Sequence, residues 1–195
     1  MLPILTRLVS AFPVSQSSSG GRMHSGPTTQ PQIIYGTAWK KEATRELVLN
    51  ALRLGFRAVD TACQPKHYNE ELVGEGIADA EAEGIVSRSD LYLQTKFTPL
   101  AGQDPDRVPY DSGAMLEEQV KQSVQASLRN LRTTYVDCLL LHSPLPTHGD
   151  TMRVWRSMEQ HVASGEVKSR EFLTPRAFVH ALTGALQCAH ADPIC

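Results

Sequence analysis

Asp60, Tyr68, Lys96 and His142 are the side chains whose types and placement suit proton-transfer chemistry. Asp60 ends the run Phe56-Arg57-Ala58-Val59, and Tyr68 follows shortly after it. Lys96 follows Leu93-Gln94-Thr95, and His142 follows Leu139-Leu140-Leu141. Each stands at or just past the end of a segment that reads as a strand. A phenol or an imidazole can pass a proton to a reacting oxygen, an ammonium can stabilise the negative charge that develops there, and a carboxylate can hold the ammonium in place. Taken singly, each residue has an ordinary structural role: Asp60 as a turn cap, Lys96 as a solvated rim lysine, His142 as a backbone-bonded core histidine. Their recurrence at successive strand ends points instead to one site.

The elements that must position them alternate in type. Ile33-Ile34-Tyr35 reads as a short buried strand running into Gly36-Thr37, and Leu47, Val48, Ala51, Leu52 and Leu54 give a helical face stopped at Gly55. Phe56 to Val59 is a second strand, Glu70 to Glu83 a helix ended by Gly84, and Leu91 to Thr95 a third strand. Pro99 to Gly113, rich in Pro, Gly and Asp, reads as a long loop over the site. A helix from Leu116 to Leu131 and the strand Tyr135 to Leu141 follow, the latter too apolar to be solvated on either face. Asp150 is expected to cap a helix carrying Val154, Trp155, Met158 and Val162, and Val167 to begin a fifth strand.

Repeated β-α units of this kind build an α/β fold, either an open doubly wound sheet or a (β/α)8 TIM barrel, and both place chemistry at the C-terminal strand ends. Gly36-Thr37-Ala38-Trp39 offers a single glycine after the first strand, and Gly74-Glu75-Gly76 lies within a helical pattern, so a dinucleotide-binding glycine fingerprint is missing and barrel topology is favoured. The chain's 195 residues nevertheless fall short of the roughly 250 of a closed barrel.

A net charge of -2 spread along the chain argues against nucleic acid or an anionic membrane as partner. No apolar run approaches the roughly 20 residues that span a bilayer. Cys63, Cys138, Cys188 and Cys195 form no C-x-x-C pair and indicate neither a metal site nor a disulfide framework, which points to a reducing, cytoplasmic setting. Residues 1–32, with a Ser/Gly run and no acidic residue, are expected to be a disordered extension. The stretch Met1 to Phe12 offers a mitochondrial targeting helix as the alternative.

Gly36-Thr37-Ala38-Trp39-Lys40-Lys41, Asp60-Thr61-Ala62 with Tyr68-Asn69-Glu70, Thr95-Lys96 and Leu141-His142-Ser143-Pro144 resemble, in order, the motifs of the aldo/keto reductase family, over Ile33 to Lys168. The resemblance implies a (β/α)8 barrel that transfers a hydride from NADPH to a small-molecule aldehyde or ketone without a metal. It implies Asp60, Tyr68, Lys96 and His142 as the catalytic residues and Gly36, Thr37, Asp60 and Ser143 against the cofactor. Trp39 and His142 would border the substrate pocket. Tyr68 would donate the proton, its pKa lowered by Lys96. Gln64-Pro65-Lys66 lengthens the spacing from Asp60 and places His67 where the family has its tyrosine. The chain is similar in this to a fungal-type subgroup, and His67 stands as the alternative donor to Tyr68.

After Lys168 the family's Ile-Gly-Val-Ser-Asn strand is replaced by Ser169-Arg170-Glu171-Phe172-Leu173-Thr174-Pro175. The expectation is therefore the N-terminal half of a barrel, about four β/α units over residues 33–168, with an atypical tail over 169–195 that has one helical face through Phe178, Leu182 and Leu186. An open half barrel exposes sheet edges that invite self-association. The alternative to a working reductase is an inactive remnant or regulatory module that pairs with a full-length copy.

Overall fold

Strands that are apolar on both faces require cover, and parallel β-α crossovers supply it on one face of the sheet. The structure, a computed structural model, describes residue 31 and residues 33–172; the expected extension over 1–32, apart from residue 31, and the helical face through Phe178, Leu182 and Leu186 lie outside the described residues. The strands are β1 (Tyr35–Gly36), β2 (Ala58–Asp60), β3 (Tyr92–Phe97), β4 (Val136–Leu141) and β5 (Val167–Phe172). Between them lie α1 (Thr44–Arg53), α2 (Glu70–Ala82), α3 (Leu116–Asn130) and α4 (His148–Ala163). The five strands form one parallel sheet in chain order, β1-β2-β3-β4-β5. A doubly wound sheet would reverse direction at a switch point. Uninterrupted sequential order is instead the wall of a (β/α) barrel, with four β/α units and a fifth strand described. β5 continues without a break past Lys168, where the family-like pattern ends, and pairs with β4 from Val136↔Val167 to Leu141↔Phe172.

Side-chain alternation divides the sheet into two faces. Val59, Leu93, Phe97, Leu139 and Leu141 pack outward against Val48, Leu52, Val73, Ile77, Val120, Val124, Val154 and Met158 in the main core. Ala58, Tyr92, Cys138 and Leu140 form a smaller cluster on the opposite face. Asp60, Gln94 and Lys96 share that inner face by the same alternation, so the residues with chemistry lie on the side that a barrel encloses.

Local chemistry fixes the helix ends. The Asn69 side chain accepts from the Leu72 N–H at 3.1 Å to cap α2. Thr147, not Asp150, caps α4. Its hydroxyl accepts from the Asp150 N–H at 3.0 Å and donates to the Asp150 carboxylate at 2.8 Å, because the acid sits in the third helical position. Two further expectations are corrected. Ile33 and Ile34 are exposed, at 70% and 37%, and precede the strand; among the described residues β1 is an edge strand paired only with β2. Leu54 is exposed because it is the C-cap of α1 and has left the helix's apolar face. The loop from Pro99 to Gly113 contains two short 3-10 turns, Leu100–Gly102 and Pro105–Arg107.

Gly74 and Gly76, which as sequence only faintly suggested a nucleotide loop, are packing contacts within α2. A Cβ on Gly74 would lie 2.2 Å from the Asn130 carbonyl oxygen, and one on Gly76 would lie 2.6 Å from that of Arg45. Gly74→Ala gains up to about 1 kcal/mol of helix propensity but drives α2 into the rigid backbone at the end of α3. We expect a net loss of about 1–2 kcal/mol in urea unfolding, with the denaturant slope unchanged. Unchanged stability would mean that the two helices separate freely.

Candidate active site

Parallel pairing brings the ends of β2, β3 and β4 level, with Asp60 opposite Gln94 and Lys96 opposite Leu140. From the inner face, Lys96 Nζ donates to Asp60 Oδ2 at 2.7 Å and to the Thr61 carbonyl at 2.7 Å. Gln94 Nε2 donates to the other carboxylate oxygen, Asp60 Oδ1, at 2.8 Å. The Lys96 side chain is 3% exposed and that of Asp60 20%, so the pair is buried on the lysine side and opens to solvent at the carboxylate.

The Tyr68 ring lies beside this pair, its centroid 4.7 Å from Lys96 Nζ, and meets the His142 ring edge-on at 6.0 Å. His142 follows the last residue of β4. Its backbone N–H donates to the Phe97 carbonyl at 2.9 Å, and its Nδ1 is 2.7 Å from Thr98 Oγ1. His67 turns elsewhere and stacks on Trp39 at 3.8 Å between centroids, and Trp39 N–H donates to the His67 carbonyl at 2.8 Å. The longer spacing is absorbed in a tight turn in which the N–H groups of His67 and Tyr68 both donate to the Gln64 carbonyl, at 3.2 and 3.1 Å. Gln64 Nε2 ties that turn to the Gly102 carbonyl at 2.7 Å. Asp60, Tyr68, Lys96 and His142 are thus brought together. Gly36 ends β1 and Thr37 follows it, donating its hydroxyl to the Asp60 carbonyl at 2.9 Å, and Ser143 is half-buried next to His142.

The family model of the aldo/keto reductase family matches residues 26–170. The chain belongs to the aldo/keto reductase family. Aldo-keto reductase AKR2E4 of Bombyx mori is 30% identical over 144 residues, 69% of this chain and 42% of that protein. The NAD(P)H-dependent D-xylose reductase of Pachysolen tannophilus is 29% identical over 163 residues, 71% and 46%. The crystal structure of the Bombyx mori protein in complex with NADP matches with a TM-score of 0.60 at 29% identity, over 74% of this chain and 47% of that one. An aldo/keto reductase from Brucella melitensis matches at 0.61 and 29%, over 80% and 54%. The chain therefore spans about half the length of the relatives it matches. Among the described residues, no helix is long and apolar enough to cross a membrane.

Within this aldo/keto reductase chain, one electrostatic expectation is reversed. Burial, and then the Asp60 carboxylate, push the Tyr68 phenol above its ordinary pKa. The ammonium of Lys96 does not offset this rise, since its charge is already balanced by Asp60. Tyr68 is therefore protonated at neutral pH. Lys96 is itself held below the usual lysine range by burial, with Asp60 opposing the shift. His142 is pushed down to about 4, first by burial and then by Lys96 and His67, and is neutral at physiological pH.

Sequence reading missed several supporting residues. Glu70, quoted within the Tyr-Asn-Glu motif but given no role, is 5% exposed. It accepts from Thr95 Oγ1 at 2.5 Å and Ser127 Oγ at 2.9 Å, joining the start of α2 to β3 and α3, and burial raises its pKa. Gln103, also buried, donates to the Cys63 and Thr98 carbonyls at 2.9 and 3.1 Å. The carboxyl of Glu70 carried a sequence signal only as a polar residue at the start of a helical pattern, and the amide of Gln103 carried none. Thr98 carried none.

A histidine whose folded pKa is depressed takes up its proton first in the unfolded chain. Its contribution to stability is complete above about 6.5 and is lost as pH falls toward about 4. We expect the His142 imidazole resonances to titrate with a midpoint near 4, and that midpoint to rise in Lys96→Met. NMR titration checks both, and a midpoint near 6.5 in the parent chain would contradict the burial that the fold imposes.

Proposed function

We propose that this chain reduces an aldehyde or ketone to an alcohol with NADPH, using Tyr68 as the proton donor. The observation that carries the reading is the buried Lys96–Asp60 pair with Tyr68 and His142 against it at the C-terminal strand ends. Membership in the family, a relative named as an NAD(P)H-dependent D-xylose reductase and a structural neighbour in complex with NADP support it. The reacting end of the site fits such a cofactor on the chemistry of its own groups. The Asp60 carboxylate, partly exposed and holding one donor on each oxygen, keeps lone pairs for a sugar hydroxyl. Gly36 leaves open space at the end of β1, where an added Cβ would meet nothing within 4 Å. Gly36, Thr37, Asp60 and Ser143 would hold the cofactor, which supplies the hydride.

Negative charge develops on the carbonyl oxygen during the reduction, and the protein's task is to quench it. The Tyr68 O–H gives its proton to that oxygen, forming the alcohol and leaving a phenolate that takes its proton back from solvent before the next turnover. Because Tyr68 is protonated at neutral pH, the donor is loaded before each turnover. Neutral His142 lies with Nδ1 2.7 Å from the Thr98 hydroxyl, and in the tautomer in which Thr98 donates, its Nε2–H would orient the carbonyl oxygen. Trp39 would line the substrate side. Free, buried Cys63 and Cys138 suit a reducing, cytoplasmic location.

Tyr68→Phe removes the phenolic proton with little change in shape, and we expect it to lower NADPH-dependent carbonyl reduction by at least about 100-fold. His67→Gln should keep activity within a few-fold, because His67 stacks on Trp39 and not on the Lys96–Asp60 pair. Steady-state NADPH oxidation reads both. A reversed ranking would transfer the donor role to His67, and absence of turnover in the parent chain would sink the reading.

A further inference from the structure

Beside Tyr68 lies an open cleft of about 360 Å³ between the turn after β1, the loop after β2 and Arg107, and Lys96 does not line it. We propose that this cleft is a binding subsite for an anionic group, a carboxylate or a phosphate monoester, carried by the carbonyl substrate. The word substrate rests on the reductase reading; anion binding does not.

Charge is the first ground. Lys41, Lys66 and Arg107 line the cleft against the single carboxylate Glu42. Arg107 is already engaged by Asp104, at 2.8 and 2.9 Å, yet counting that acid as well leaves the cleft positive. The contrast with the reaction centre is direct, because the ammonium of Lys96 there is neutralised by Asp60 at 2.7 Å. Positive charge free to meet a ligand therefore lies in the cleft and not under the reacting carbonyl.

Backbone conformation is the second ground. Trp39 and Lys41, neither of them glycine, take φ of 63° and 49°. This left-handed region is unfavourable for such residues and persists where the surroundings over-determine it, commonly at ligand clamps. Here it presents both side chains to the cleft. His67, its ring stacked on Trp39 and its Nδ1 closed off from solvent, forms the wall of the cleft. Lys66 and the seating of His67 both come from the Gln64-Pro65-Lys66 turn.

Titration of the full chain with inorganic phosphate, and separately with glutarate, at constant ionic strength and without NADPH tests the subsite by tryptophan fluorescence. Trp39 is 65% exposed in the cleft, whereas Trp155 is 8% exposed and supplies a constant background. We expect a saturable change with at least one anion, lost in Trp39→Phe. Its apparent dissociation constant should rise about fivefold in a Lys66→Gln, Arg107→Gln double variant of unchanged circular dichroism, the size expected for two exposed charge contacts. Response to phosphate alone or glutarate alone identifies the anion, and either supports the subsite. No saturable response to either, or equal affinity in the double variant, overturns it. Anion binding without NADPH turnover would overturn only the reductase reading, and turnover without anion binding only the subsite.

Discussion

The Lys96–Asp60 ion pair is the constraint around which the described part of the molecule is arranged. An ammonium with 3% of its side chain exposed is stable only if its donors are occupied, and two are, by Asp60 Oδ2 and the Thr61 carbonyl. Both acceptors come from the end of β2, so the pair cannot form unless β2 and β3 hold their parallel register. Removing one partner of a buried pair costs roughly 3–5 kcal/mol, and the partial exposure of Asp60 puts this pair at or below the lower end. Thus the interaction that supplies charge for chemistry also locks two strands at the place where the chemistry is proposed.

A second buried carboxylate completes the arrangement from the other side of the same strand. Lys96 points to the inner face, and its neighbour Thr95 points outward to Glu70, which Ser127 of α3 also engages. Glu70 directly follows Tyr68 and Asn69, so the segment carrying the phenol is held to β3 just as β3 is held to β2. The period-two geometry of a strand lets adjacent residues serve the site and its scaffold without competing for space. Thr98 extends this chain of contacts to His142 across the next strand boundary, with its carbonyl held by Gln103 and Tyr110.

How far the sequence reveals this depends on the range of each interaction. The strands β3 and β4 and the helices α2 and α3 were legible because their apolar periodicity and glycine stops are local signals. Asp60, Lys96 and His142 were legible as a group because parallel sheets bring strand ends together whatever their separation along the chain. The cap of α4 was misplaced by one turn, since Thr147 and Asp150 both fit a helix start and only the backbone decides between them. Exposure of Ile33 and Ile34 was not legible, because an apolar triplet looks the same whether or not a second strand covers it. Gln103 and Thr98 act through carbonyl groups and a hydroxyl contact far along the chain, which no local pattern encodes.

The lengthened loop after Asp60 shows why spacing alone could not choose between His67 and Tyr68. Counting from Asn69-Glu70 favours His67, whereas counting from Asp60 favours neither. The three-dimensional answer comes from the Gln64 carbonyl, which accepts from both following N–H groups and winds the extra residues into a turn. That winding turns His67 toward Trp39 and leaves Tyr68 over Lys96 and against His142. It also separates two kinds of positive charge. The ammonium beside Tyr68 is compensated by Asp60 and shielded, so it does not bring the phenol below its ordinary pKa. The cations brought by the turn and by Arg107 stay open to solvent. An insertion that as sequence looks like damage to a motif therefore keeps the phenol in place and gives the chain a charged cleft beside it.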